Sequence, residues 1–373
     1  MSGPVRIAPA DGPEQLGRFL DVAYRLNADL PHWVPPLRMS EAARLTPGKN
    51  PFFEHADAAR FIAMRGAEPV GRVLAIHDHE HNRYQEEQAG FFGFFECRDD
   101  TEAAGALLGA ATEWLQARGV QVIRGPMNPT TNDQCGLLIE GFDTPPTLMM
   151  PHNPPFHAAL IEGQGFRAHR DLLAFDLEDH WMPVERLRRI RDRRANADIQ
   201  VRSVDFRHFE RELETIRGIY NSAWEANWGF VPMTEAEFRH VAADLKQIAI
   251  PDLLLIAEVS GQPAAFSVTL PDFNEALIKV HNGRLFPFGL LKILWHKRHI
   301  QRARVVTLGV VPEHRRRGLE ARLYLETMER AAKHDIRKGE LSWILEENEA
   351  MRSGIEALGG RLAKRYRIYE KTL

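Results

Sequence analysis

Arg304-Val305-Val306-Thr307-Leu308-Gly309-Val310-Val311-Pro312 is a strand-like run. It leads through Glu313-His314-Arg315-Arg316-Arg317-Gly318 into an amphipathic helix that opens Leu319-Glu320-Ala321. A basic turn with one glycine at a helix N-terminus offers unpaired backbone N–H groups and a positive dipole end to an anion. The three consecutive arginines add mobile charge around it. Taken alone, the same residues also fit an ordinary strand–turn–helix joint with a solvated arginine run.

The order of these parts resembles the pyrophosphate-binding turn of the GCN5-related N-acetyltransferase superfamily, V-x-P-x-x-[R/Q]-x-x-G-x-[G/A]. Val310, Pro312, Arg315 and Gly318 fall on that pattern. The next position departs from it, with Glu320 where the family has Gly or Ala. A carboxylate there repels a diphosphate. Either Glu320 points away, as an acid in a first helical turn does, or coenzyme A binding is altered. Downstream come a strand (Gly339–Leu345), Glu346-Glu347-Asn348, a short helix through Leu358, Gly359-Gly360 and a closing strand (Arg361–Lys371). The superfamily runs in the same order. The resemblance covers 199–373 and implies acyl-coenzyme A contacts at Leu308, Gly309, Val310, Arg315, Arg316, Arg317, Gly318, Leu319, Glu320, Ala321 and Asn348.

At 373 residues the chain is too long for one such domain. Its composition, 44% hydrophobic and 27% charged, suits a soluble protein with real cores. A net charge of −3 gives no global argument for nucleic acid. Cys97 and Cys135 form neither a disulfide framework nor a metal-type spacing, which favours a reducing compartment. Met1-Ser-Gly-Pro-Val-Arg6 has no apolar signal core, and no stretch approaches the roughly 20 apolar residues that span a bilayer. The expectation is cytoplasmic, with possible peripheral contact at the inner face of the membrane.

The halves share one plan. The first reads as strand (5–9), helices (12–27, 39–45), strands (59–64, 69–76, 90–96), helix (101–117), strand (120–125), helix (156–162) and strand (167–176). The second opens with a strand (199–204), helices across 206–247 and strands (253–259, 264–269). An insertion follows, then the motif strand and its successors. An internal duplication is the simplest account. It resembles the tandem acetyltransferase-like folds of the peptidoglycan aminoacyl-transferases and N-myristoyltransferases. The expected class is α/β (α+β): two tandem acetyltransferase-like folds, each a mixed, mostly antiparallel central sheet flanked by helices. The expected domains are 1–178 without a cofactor motif, a linker helix within 179–198, and 199–373 binding acyl-CoA. The linker's Val184–Ala195 carries six arginines, read as a solvated face. Cys97-Arg98-Asp99-Asp100-Thr101 replaces the glycine turn in the first half. One of its aspartates is a candidate N-cap, and both repel phosphate.

The resemblance places a thioester carbonyl against a splayed strand near Leu308–Val310, where a backbone N–H stabilises the oxyanion. An attacking amine needs a base, and Glu346 is the first candidate. Relatives carry a Tyr on the helix after the Asn; counting from Asn348, that position is Ile355 here. Tyr324 and Tyr366 are the substitutes. Acceptor contacts are expected at Trp224, Glu225, Asn227 and Trp228 in the helix pair, and at Asn128 and Asn132 in the loop Gly125–Asp133. His77-Asp78-His79-Glu80-His81 has the look of a metal cluster, but strand alternation splits it between faces; no metal is expected. His152 and His157 read as structural. Leu285-Phe286-Pro287-Phe288 through Ile300 joins an apolar surface to a basic end, which suits an interfacial helix or one that covers the sheet.

Trp224–Phe230, Gly125–Pro129 and Ser342–Asn348 resemble segments of bacterial tandem acetyltransferase-like proteins of this length, some similar to bacterial ceramide synthases. The resemblance implies transfer from acyl-CoA to a primary amine by direct attack, with a long-chain acyl group and an amphipathic amine such as a sphingoid base. A short-chain acetyltransferase on a soluble amine, or a non-catalytic acyl-CoA- or lipid-binding protein, are the alternatives.

Overall fold

The computed structural model describes residues 3–193, 197–225 and 227–373. In chain order it opens with β1 (Val5–Pro9), α1 (Gly12–Leu26), α2 (Arg38–Arg44), β2 (Ala56–Arg65), β3 (Glu68–Asp78), α3 (His79–Gln85) and β4 (Ala89–Cys97). Then come α4 (Thr101–Gln116), β5 (Val122–Gly125), β6 (Met127–Asn128), β7 (Gln134–Cys135), β8 (Leu137–Glu140), α5 (His157–Glu162), β9 (Arg167–Glu178) and α6 (Val184–Arg191). The second half holds β10 (Ile199–Ser203), α7 (Phe209–Trp224), α8 (Glu235–Lys246), β11 (Leu254–Val259), β12 (Gln262–Pro271), α9 (Asn274–Leu277) and α10 (Gly289–His296). It closes with β13 (Arg302–Val310), α11 (Leu319–Ala331), β14 (Lys338–Leu345), α12 (Glu349–Ala357) and β15 (Arg361–Thr372). No helix among the described residues is long and apolar enough to cross a membrane.

The chain forms two compact units. The first comprises 1–172, 276–296 and 364–373; the second comprises 173–275 and 297–363. The expected boundaries at 178 and 198 therefore fall inside the second unit. Two pieces of the second half also belong to the first unit: the insertion and the last ten residues.

In the first unit the strands run β1-β2-β3-β4-β5-β15, antiparallel except β4 beside β5. One face is covered by α4, whose Ala103, Ala104, Leu107, Leu108, Ala111 and Leu115 join Val73, Ala75 and Phe92 in a buried core. This is the small-residue stripe that lets a helix lie close on a sheet. Arg72, which alternates with Val73, turns to the other face and donates to the Phe19 carbonyl of α1. The insertion is tied down on this unit. Arg38 donates from its main-chain N–H to Gly283 O at 2.9 Å and from Nε to Asn282 O at 2.9 Å. A Cβ on Gly283 would stand 2.3 Å from Pro36 O, so only glycine fits there.

In the second unit the order is β14-β13-β12-β11-β10, with the later part of β9 beside β14. From β10 to β13 neighbouring strands pair antiparallel, and β13 runs parallel to β14. On one face, Leu319 and Leu323 of α11 pack with Leu308, Val310, Leu255 and Ala257. On the other face lies α7. The arginine-dense helix ends at Arg191 rather than Ala195; positions 194 and 195 lie outside the described residues. Its arginine face is solvated, with Arg186, Arg188 and Arg189 exposed, while its other side packs inward. Leu187 is buried in the core, and Arg188 and Arg191 pair with Glu329 of α11 at 3.0 and 3.5 Å.

Periodicity did not reveal α3, the β6–β7 hairpin or β8. Asp78 starts α3 by accepting from His81 N at 3.1 Å, a side-chain cap that cuts the strand short. His157 is fully buried, with Nε2 at 2.9 Å from Cys97 O, and burial lowers its pKa to about 4. The folded state thus resists a proton that the unfolded chain accepts near 6.5. Stability from this group is complete above about pH 6.5 and is lost as pH falls towards about 4. Denaturant titrations should show wild type losing a few kcal/mol more than His157→Gln between neutral and pH about 4.5. Equal losses would refute the assignment.

Candidate active site

The parallel ladder of β13 and β14 has rungs from Arg302↔Lys338 to Val305↔Leu341, then stops. Beyond it, β13 stays paired with β12 on its other side, as Ser267↔Leu308 and Phe266↔Gly309. The two central strands thus open into a V, and Val306–Val310 carry one edge that β14 does not use. Side chains hold the apex. Arg304 donates from Nε to Ser342 Oγ at 2.9 Å and from Nη2 to Ser342 O at 3.0 Å. Ser342 Oγ–H donates to Glu340 Oε1 at 2.6 Å, and Arg302 reaches Glu340 Oε2 at 3.2 Å. Arg304, Glu340 and Ser342 are all buried. The sequence reading passed over this cluster. Its signal was charge at alternate positions of apolar strands, Arg302/Arg304 and Glu340.

At the open end of β13, Pro312–His314 make one 3₁₀ turn. Arg316 and Gly318 then adopt left-handed conformations, φ 68° and 77°. Gly318 is the N-cap of α11, and no side chain caps that end. The first-turn N–H groups of Leu319, Glu320 and Ala321 are therefore presented without a side-chain acceptor. Not all three arginines are mobile: Arg315 donates to Ala223 O at 3.1 Å and Arg317 to Asp198 Oδ1 at 2.8 Å, while Arg316 is exposed. Glu320 is half-buried in the first turn, and its charge is felt by Tyr324 one turn later.

Trp224, at the end of α7, packs its indole against β13 at Gly309. A Cβ built on Gly309 would stand 2.1 Å from its Cζ3. The indole stacks on Tyr220, with centroids 5.0 Å apart, and tilts against Phe266 at 5.8 Å. Glu225 is exposed; Asn227 and Trp228 are half-buried in the loop that turns at Gly229 (φ 68°). The hydroxyl of Thr307, on the stretch of β13 beyond the apex, is buried without a hydrogen-bond partner.

Glu346 follows β14 directly and is half-buried, and its main-chain O accepts from Arg352 at 2.8 Å. Asn348 caps α12, its Oδ1 accepting from Met351 N at 3.2 Å. Tyr324 is buried with Oη 3.9 Å from Met351 Sδ; burial, then Glu320, pushes its pKa above the usual phenol value. Tyr366 is buried in the first unit. Cys97 and Cys135 are free and buried, and burial pushes the Cys97 thiol up to about 12, too high for a ready nucleophile.

The first unit repeats the V in closed form. Parallel rungs of β4 and β5 end at Phe91↔Arg124. The gap is filled by β6: Asn128 Oδ1 accepts from Phe94 N at 2.6 Å, and a Cβ on Gly93 would stand 1.7 Å from Met127 O. Asn128 thus spends its side-chain oxygen inside the unit, and Asn132 N bonds Thr130 Oγ1 at 3.1 Å. At the adjoining helix, Asp100 caps Ala103 N at 3.1 Å and pairs with Arg65 at 2.7 Å.

The histidine run is not split between faces. Because α3 begins at His79, His77 and His79 bring their rings to 4.5 Å, and Asp57, the cross-strand partner of His77, joins them. Their donor atoms all lie within 4.8 Å of one another.

No protein-family model matches the chain. It is 37% identical to a bacterial ceramide synthase of Caulobacter vibrioides, over 98% of this chain and 97% of that one. It is 38% identical to Protein YghO of Escherichia coli, over 96% and 93%. Among solved structures it is similar to a tandem GCN5-related N-acetyltransferase protein from the clavulanic acid biosynthesis pathway. That match has a TM-score of 0.56 and 13% identity, and covers 99% of this chain and 98% of the other. The likeness shows the fold.

Gly309→Ala should destabilise the protein by about 1–3 kcal/mol, because the added methyl must push the indole aside. Combining it with Trp224→Leu should cost less than the sum of the two single changes. Strict additivity in a denaturation cycle would contradict the contact.

Proposed function

This chain belongs to the family that those relatives define, and we propose that it is an N-acyltransferase that moves an acyl group from acyl-coenzyme A to a primary amine, the amine of a long-chain, sphingoid-type base. The observation that carries the reading is the uncapped, glycine-led start of α11 beside the open edge of β13. A diphosphate suits the first-turn amides of Leu319, Glu320 and Ala321, with exposed Arg316 nearby. The left-handed Gly318 lets the backbone come close, since its φ of 77° strains any other residue. The unpartnered Thr307 hydroxyl and the free edge of Val306–Val310 suit the polar groups of an extended thiol arm.

The thioester supplies an activated carbonyl and a stable thiolate leaving group, so the demands on the chain are modest. Amides on the open edge of β13 near Leu308–Val310 hold the carbonyl oxygen. The amine must lose a proton, and Glu346, at the mouth of the V, takes it directly or through water. Tyr324, kept protonated by burial, suits donation and not base catalysis. With the cysteines buried in the first unit, direct attack is the simpler route. The long-chain acceptor rests on the name of the Caulobacter relative.

Calorimetric titration with coenzyme A should show at least tenfold weaker binding for Gly318→Val than for wild type. Palmitoyl-CoA with a long-chain amino-alcohol should release thiol, and polyamines or amino acids should not. Unchanged affinity in the variant would remove the site from this turn. Release with polyamines alone would replace the acceptor.

A further inference from the structure

Helix α10 is inverted. At roughly 3.6 residues per turn, Leu290, Leu291, Leu294 and Trp295 fall on one continuous arc, opposite the buried Gly289 and Ile293. The arc facing solvent is apolar: Leu291 is 63% exposed and Trp295 65%, and in the preceding loop Phe286 and Phe288 are 75% and 67% exposed. These are the largest exposures of big apolar side chains among the described residues apart from Met39. A helix covering the sheet would turn this arc inward. Here the segment is fixed at its base instead, through the Arg38 bonds to Asn282 and Gly283 and by Ile293, and holds its apolar side outward.

Charge decides what fits against it. No Asp or Glu occurs between Glu275 and Glu313, while Lys279, Arg284, Lys292, Lys297 and Arg298 do. Two copies of such a surface face to face would repel. An anionic headgroup layer over an acyl interior complements both features, and the indole of Trp295 suits that boundary. We infer that the loop and helix 286–296 dock this protein on an anionic lipid bilayer, with Phe286, Phe288, Leu291 and Trp295 inserted among the acyl chains and the lysines and arginines at the headgroups. Docking there brings the enzyme to the layer in which a long-chain amine dissolves. The partition itself does not depend on turnover, so this inference and the proposed chemistry stand or fall separately.

The full chain should co-sediment with vesicles of phosphatidylglycerol and phosphatidylethanolamine, and more weakly with phosphatidylcholine alone. Changing Phe286, Phe288, Leu291 and Trp295 together to Ser should lower the partition at least tenfold at an unchanged melting temperature. Lys279→Gln/Arg284→Gln/Lys292→Gln should weaken binding to the anionic vesicles more than to the neutral ones. In case the fourfold variant folds poorly, doxyl-labelled lipid should quench wild-type tryptophan fluorescence, and Trp295→Phe should abolish most of that quenching. Wild type left in the supernatant with anionic vesicles, or no quenching, overturns the inference. So does a wild-type dimer in light scattering that Trp295→Ser turns into monomer, which would make this face a contact between copies.

Discussion

Glu340 is a carboxylate with no access to water, and its charge is answered within the sheet by Arg302 and, through the Ser342 hydroxyl, by Arg304. An uncompensated buried charge costs about 3–5 kcal/mol, so these groups have few other arrangements open to them. Their position gives the cluster its meaning. It sits at the last rungs of the parallel ladder, where β13 and β14 part. Main-chain bonds hold the strands together below that point. Above it, one guanidinium gripping both the hydroxyl and the carbonyl of Ser342 takes over. A V opened by loss of ladder bonds alone would be free to zip or fray. A V pinned at its apex by an ionic network keeps a fixed angle, which an extended ligand arm needs if its reactive end is to be placed within a few tenths of an ångström.

The two units show what makes such a V available. Both have a parallel pair that ends early and a helix starting nearby. In the first unit the gap holds Met127 and Asn128, and Asp100 supplies the helix start with its own anion, neutralised in turn by Arg65. In the second, the corresponding helix begins at a glycine that can cap nothing. The contrast is electrostatic as well as steric: one N-terminus carries an acidic cap beside its dipole, and the other has no side-chain cap. Glu320 stands half-buried in that same first turn, so any anion held there meets its carboxylate as well as the amides.

Much of this was legible in residue order. Alternation gave most strands to within a few residues, and the paired halves followed from repeated order. Pro312, Arg315 and Gly318 marked the turn through their match to the superfamily pattern, and the left-handed N-cap at Gly318 gives the physical reason for its glycine. Asp100 was readable as a cap for the same local reason. What stayed hidden depended on partners distant in sequence. Arg304, Glu340 and Ser342 lie in strands that read as apolar, and only the parallel register sets them together. The contact of the Trp224 indole with Gly309 joins residues 85 positions apart, and nothing local in either stretch signals it. Strand alternation separated His77 from His79 on paper, and the cap made by Asp78 undid that by ending the strand between them. The boundary of the units was hidden most deeply, because it depends on strand exchange.

That exchange has a consequence for how the halves depend on each other along the chain. The first unit's sheet includes the C-terminal strand, whose Tyr369 pairs with Gly125 and whose Tyr366 pairs with Leu138. Lys364, buried, donates to Gly141 O, Thr144 O and Thr144 Oγ1 at 2.6–2.8 Å. A buried ammonium needs such a full set of acceptors, and those carbonyls in turn wait for the lysine. The first unit therefore remains incomplete until the last residues arrive, and its closing contacts span more than two hundred positions. Contacts of such separation form slowly because a long loop must be ordered first. The first unit thus has a structural part to play. It holds the insertion that carries α10, and it binds the end of the same chain whose preceding segments, β13 through α12, build the V.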